Sequence, residues 1–265
     1  MSSKRARLDR FLSAKLRLSL RDTRLMLIQG RISVDGQGVD DATRVVNQFS
    51  FVQCDDEIIQ ANTPRYIVMN KPAGIVSATR DKKHRTVLDL LRENYRPLGS
   101  NINDGSETDF GDIHIAGRLD FNSTGLVLLT NDGRWSRSIC KPENRIVKTY
   151  LVTFENPLTD LSEREDYVNS FAEGMFFNYE NITTRPASVE FVENNVAKVR
   201  LVEGRYHQIK RMFGRFQNRV IALERIAIGT LCLDSSFAQG QCRDLSLAEL
   251  RSVDSCFDSG LEVIR

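Results

Sequence analysis

Gly117-Arg118-Leu119-Asp120-Phe121-Asn122-Ser123-Thr124-Gly125-Leu126-Val127-Leu128-Leu129-Thr130-Asn131-Asp132-Gly133 reads as a polar turn bearing one carboxylate, a strongly apolar strand over 126–130, and a second turn. A carboxylate at the mouth of a buried strand is held by rigid backbone, as a reactive group must be. Aspartate also closes turns through its own backbone. From spacing alone, that turn-closing role is the stronger reading of Asp120.

Working outward, further strands are expected over 66–69, 146–154, 187–192 and 196–202. Their short connections favour an antiparallel or mixed sheet over repeated βαβ crossovers. Ile209, Met212, Phe213 and Phe216 recur at helical spacing while Lys210, Arg211 and Arg215 point elsewhere, which gives an amphipathic helix with a cationic side. Such a helix is usually a core helix with a solvated face. The stretch 97–112 is rich in Gly, Ser, Asn and Asp and reads as a long surface loop. These elements make residues 65–251 one α+β body, with 252–265 as a C-terminal tail.

Upstream of the polar Gln60-Ala61-Asn62-Thr63-Pro64 stretch the composition changes. From Lys4 to Arg31 there are nine basic residues against two acidic ones, a local net of +7 in a chain whose overall net is +2. A polyanion is the natural partner of such a field, although charge runs are more often solvated faces. Leu8, Phe11, Leu12 and Leu16 have helical spacing. A second helix runs from Ser19, an N-cap candidate, to Gly30, a C-cap candidate. Alternating Ile32, Val34 and Val39, the Asp35-Gly36 turn, and later Phe51, Val52, Ile58 and Ile59 give short strands. Residues 1–60 therefore form a small α/β module.

The chain has 265 residues, 41% apolar and 27% charged, enough for a large core and a satellite domain. No apolar run is long enough to cross a bilayer, and the first residues are charged, so a cytoplasmic protein is expected. Cys54, Cys140, Cys232, Cys242 and Cys256 form no Cys-x-x-Cys pair, and His84, His114 and His207 do not cluster with them. Free thiols and no metal are expected. No phosphate loop of the Walker type is present, so no nucleotide cofactor is expected.

The segment 117–133 resembles, over seventeen unbroken residues, the central motif of the Rsu-type family of ribosomal RNA pseudouridine synthases. Three further segments agree in order: Tyr66 with Met69-Asn70-Lys71-Pro72-Ala73-Gly74, then Lys148-Thr149-Tyr150-Leu151-Val152, then Glu203-Gly204-Arg205-Tyr206-His207-Gln208-Ile209-Lys210-Arg211-Met212-Phe213. The N-terminal module, with its Gly30-Arg31-Ile32-Ser33-Val34-Asp35-Gly36 run, resembles the S4-type RNA-binding domain. It has Ser19-Leu20-Arg21 where that family has adjacent Ser and Arg.

The resemblance reverses the odds on Asp120. It implies a catalytic carboxylate at Asp120, a cation at Lys210 paired with it, and a Tyr150 that lies against the target uracil. It also implies that Arg118 fills the space a flipped uridine leaves. Arg205, His207, Gln208 and Ile209 become candidate pocket residues, and Arg5, Arg7, Arg10, Arg21 and Arg24 candidate RNA contacts. The implied partner is ribosomal RNA or a pre-ribosomal particle, with no cofactor, and a monomer is the default expectation. The run Asn131-Asp132-Gly133-Arg134-Trp135-Ser136 is closest to members acting on small-subunit (16S) RNA. The same chemistry on 23S RNA, and a non-catalytic ribosome-assembly factor, are the alternatives. A nucleotide-processing hydrolase would need the phosphate loop or metal cluster that the sequence lacks.

Overall fold

Ser19 opens the helix Leu20–Ile28 by accepting the Asp22 amide hydrogen on its side-chain oxygen, which satisfies one of the donors a helix start leaves over. The other end closes at Gly30. Its φ of +71° lets the Gly30 and Arg31 amides reach back to the carbonyls of Leu27 and Met26, the reciprocal closure that a left-handed residue permits. The computed structural model describes residues 5–97 and 109–258.

By contact density the chain divides into two units, one holding the residues through Arg65 with Asp132–Arg134 and the other the rest. In the first unit the helices Leu8–Leu16 and Leu20–Ile28 accompany a four-stranded sheet in the order Gln37–Gly38, Ile32–Val34, Val52–Cys54, Glu57–Gln60. Asp35 and Gly36 both have positive φ, 55° and 79°, so the hairpin turns through the type whose twist matches paired strands. Leu8, Leu12, Leu27, Ile32, Val34 and Val52 form the core. Arg7 is not helical: Ala6–Arg7 pairs with Val45–Val46 as a short strand.

The second unit is built on a mixed sheet, ten-stranded among the described residues, flanked by helices. Its central run is Ser188–Glu193, Val196–Leu201, Lys148–Phe154, Val220–Ile228, Thr124–Thr130, Tyr66–Lys71 and Cys242–Asp244. Neighbours in this run are antiparallel except Thr124–Thr130 with Val220–Ile228, which run parallel. The 117–133 segment supplies the central strand. Successive side chains of a strand face opposite ways, so Val127 and Leu129 enter one core and Leu126 and Leu128 another. Covering both faces explains the continuous apolar run, each such side chain contributing about 1.5–3 kcal/mol by leaving water.

Several boundaries moved. The helix Gln208–Gly214 stops short of Phe216, which stacks on Tyr167 at 3.8 Å from beyond its end. The helix Leu247–Asp258 runs into the stretch read as a tail; Leu250, Val253 and Cys256 repeat every three residues and pack on one core face. Residues 259–265, and residues 98–108 of the expected loop, lie outside the described residues. Among the described residues, no helix is long and apolar enough to cross a membrane.

Candidate active site

The turn bearing Asp120 is gripped through its backbone. Ser77 Oγ donates to the Leu119 carbonyl at 2.7 Å and accepts the Leu119 amide at 3.1 Å. From the adjacent strand, Lys71 Nζ donates to the carbonyls of Phe121 at 3.2 Å, Ser123 at 2.7 Å and Pro72 at 3.0 Å. Arg225 donates to the Gly117 and Arg118 carbonyls at 3.3 and 3.4 Å. Asp120 itself accepts the Ser123 amide on its carbonyl. The turn-closing role is real, but the backbone performs it, and the side chain is left to face the cleft.

The Asp120 carboxylate meets two cation-capable groups. Lys210 Nζ lies 3.3 Å and His207 Nε2 3.5 Å from Oδ2, and all three side chains are about a third exposed. His207 caps the helix Gln208–Gly214 in the left-handed conformation at φ 50°, and its ring stacks on Tyr206 at 3.9 Å. One turn along the helix, Lys210 projects to the same carboxylate. Helical spacing gave Lys210 only a direction away from the core; the helix entry decides what it meets.

Tyr150 is buried in the strand Lys148–Phe154, and its ring lines the same cleft. That cleft, of about 450 Å³, is walled by Arg118, Leu119, Asp120, Tyr150, Arg205, His207, Gln208 and Ile209, with Phe121 and the largely exposed Tyr206 beside them. Arg118 is exposed there. Gln208 is fixed: its side chain donates to Glu203 at 2.8 Å and accepts the Arg205 amide at 3.1 Å. Arg205 pairs with Glu203 at 3.0 Å. Ile209 is both wall and core.

Lys71 and Arg225 escaped the sequence reading as site residues, as did Ser77. Lys71 stood in a quoted motif without a role, and the one available signal was a lysine just past the apolar run 66–69. Burial pushes its pKa down to about 8; Asp120 opposes that fall and Arg225 adds to it. Lys148, donating to the Ile139 carbonyl at 3.1 Å, is likewise pushed down to about 8 by burial and by Arg225. Lys71 and Lys148 thus share the field of the buried Arg225, and Lys71 also that of Asp120. Among the described residues, no group of three His, Cys, Asp or Glu side chains could hold a metal ion.

The N-terminal arginines fall into two groups. Arg5, Arg10 and Arg21 are exposed. Arg7 and Arg24 both bind the buried Asp9 carboxylate, at 3.0 and 2.9 Å, so these two guanidinium groups share an anion inside the unit while the other three do not.

Residues 65–214 match the family model described as RNA pseudouridylate synthase. The chain is 45% identical to a ribosomal small subunit pseudouridine synthase A of Pseudomonas aeruginosa, covering 93% of this chain and 100% of that protein. It is 37% identical to the protein of the same name from Escherichia coli K12, covering 93% and 99%. A solved structure described as a pseudouridylate synthase matches with a TM-score of 0.62 at 32% identity, over 93% of this chain and 99% of that one.

Proposed function

Because the chain belongs to the RNA pseudouridylate synthase family, it is an RNA pseudouridine synthase, and we propose that it isomerises one uridine of small-subunit ribosomal RNA with Asp120 as the catalytic carboxylate. The observation that carries this reading is the placement of Asp120 between Lys210 and His207 in a cleft walled by Tyr150. A carboxylate side chain facing such a cleft is a group that can act as a nucleophile there.

The reaction is internal to the substrate. The C1′–N1 bond breaks, the uracil turns, C5 bonds to the same ribose carbon, and the C5 proton is replaced by one on nitrogen. A uridine reaches the cleft only after leaving its stack, at a cost of a few kcal/mol. Tyr150 gives the freed base an aromatic face, and Arg118, whose exposure at the cleft supports this reading, occupies the vacated stack. Lys210 and His207, both on the helix side of the cleft, orient the Asp120 carboxylate while the glycosidic bond changes hands. Gln208 and Arg205 set the cleft wall through Glu203. Arg5, Arg10 and Arg21 of the N-terminal S4-like unit dock the phosphate backbone, with Arg7 and Arg24 as secondary contacts because Asp9 shares their charge.

Relatives named for the small ribosomal subunit support 16S over 23S RNA as the target. A cytoplasmic monomer acting on ribosomal RNA or a precursor particle completes the proposal. Pseudouridine mapping by carbodiimide modification and reverse-transcription stops, on ribosomal RNA with and without the gene, tests it. Loss of one 16S stop is expected. Loss of a 23S stop corrects the substrate, and an unchanged pattern refutes the assignment.

A further inference from the structure

Among the described residues, Arg225 is a buried cation without a paired anion. It is 3% exposed, and among the described residues no carboxylate lies within ion-pairing distance of it. A guanidinium keeps its charge at any workable pH and can only donate hydrogen bonds. Burying such a charge without a counter-ion is unfavourable, which makes the position one to explain. Its field is felt nearby: after burial, it is a cause of the lowered pKa of both Lys71 and Lys148.

The donors of Arg225 are spent on the two segments that carry the reacting side chains. Nε donates to the Leu126 carbonyl at 2.7 Å, Nη2 to Gly117, and Nη1 to Arg118 and, in a long contact of 3.5 Å, to the Tyr150 hydroxyl oxygen. Its backbone sits at the same junction. Arg225 pairs with Tyr150 beside a bulge in one ladder and with Gly125 in the other. A Cβ at Gly125 would lie 2.3 Å from the Arg225 carbonyl oxygen, so the strand leaving the Asp120 turn is pressed against this residue.

We infer that Arg225 is a positioning residue for the isomerisation: it sets the spacing between the Asp120 turn and the Tyr150 phenol, and orients that phenol toward the cleft. Because Arg225 must donate, the phenol oxygen accepts from it, and the hydroxyl hydrogen is left to point elsewhere. Arg225 does not itself line the cleft; it acts through Tyr150 and the turn. The inference rests on the reading that Asp120 and Tyr150 act on the uridine.

The test compares full-length wild type, Asp120→Asn, Arg225→Gln and Arg225→Lys on one 16S RNA transcript, measuring RNA affinity, single-turnover rate and Tm. Arg225→Gln should bind RNA within about twofold of wild type and turn over about thirtyfold more slowly, with Arg225→Lys intermediate because it keeps the charge and some donors. A folded Arg225→Gln protein with wild-type rate overturns the inference, and so does a parallel fall of affinity, rate and Tm, the mark of a purely structural residue. Should Arg225→Gln not fold, Arg225→Lys decides: a lowered rate at unchanged affinity and Tm supports the inference, and a wild-type rate overturns it. Wild-type turnover beside an inactive Asp120→Asn protein shows the underlying reading intact, so a normal Arg225→Gln rate then counts against Arg225 alone.

Discussion

Lys210 Nζ lies 3.3 Å from Asp120 Oδ2, across a gap joining a helix at residues 208–214 to a turn almost ninety residues earlier in the chain. Both side chains keep about 30% of their surface in solvent. An ion pair that wet contributes less than about 1 kcal/mol to stability, so the proposed role of Lys210 in the reaction can be tested apart from folding. Lys210→Met should leave Tm nearly unchanged while lowering single-turnover pseudouridine formation about a hundredfold. A large loss of Tm with little loss of rate would reverse that assignment.

Asp120→Asn keeps shape and volume but removes the carboxylate. The protein should fold, bind 16S RNA with wild-type affinity and form no pseudouridine, read by the same mapping of a transcript incubated with each protein. Retained turnover would take Asp120 out of the reaction.

The exposed Arg10 and the Asp9-bound Arg24 should separate docking from folding. Arg10→Ala should weaken RNA binding and reduce the slope of log affinity against log salt by about one, with Tm unchanged. Arg24→Ala strips one of two guanidinium partners from a buried carboxylate and should cost about 1–2 kcal/mol in a urea titration. Asp9 is raised by burial, but hydrogen bonds from Arg24 and Arg7 and from the Arg10 amide outweigh that and hold it below the usual carboxylate range. With the folded value lowered, the unfolded chain binds the extra proton, so this stability is present above about pH 4 and lost as pH falls further.

Glu249 shows the same sign with a resolved window. Hydrogen bonds from Arg243, then from the Ser246 amide, carry its pKa down to about 2 against the opposing effect of burial. The Arg243 pair also anchors the start of the helix Leu247–Asp258. Glu249→Gln should lower stability by about 1–2 kcal/mol at pH 7. The gap between the two proteins should close as pH drops from about 4.5 to 2, checked by denaturant unfolding across that range.

Two glycines with positive φ should respond differently to alanine. At Gly125, φ +99°, a Cβ meets the Arg225 backbone; at Gly36, φ +79°, nothing lies within contact distance. Gly36→Ala should cost about 1 kcal/mol of conformational strain. Gly125→Ala should cost several times as much or prevent folding, measured as the drop in Tm or in soluble yield. Equal effects would show that the strand junction is looser than its geometry.

The sequence determined what local rules can determine. Ser19 and Gly30 are caps because their own chemistry satisfies the helix ends beside them. Asp35-Gly36 is a turn because those residues tolerate positive φ, and the apolar run at 126–130 is a strand because it is too short and too uniformly apolar for a surface helix. Asp120, Tyr150 and Lys210 were legible as a set through an ordered resemblance, since periodicity alone gave each of them a bland role.

What only the tertiary structure decided is long-range. Arg7 and Arg24 read as free charge until Asp9 was seen to be buried between them. Lys71 stood in a motif without a role and Arg225 drew no reading at all until strand order set both against the backbone of one turn. Gln208 read as a candidate pocket residue, and only the fold showed that its side chain, at the cleft wall, is held by Glu203. Whether a charged side chain is solvated, paired or buried beneath a neighbouring turn depends on which strands become neighbours, and that is set by the summed burial of the whole sheet rather than by the residues on either side.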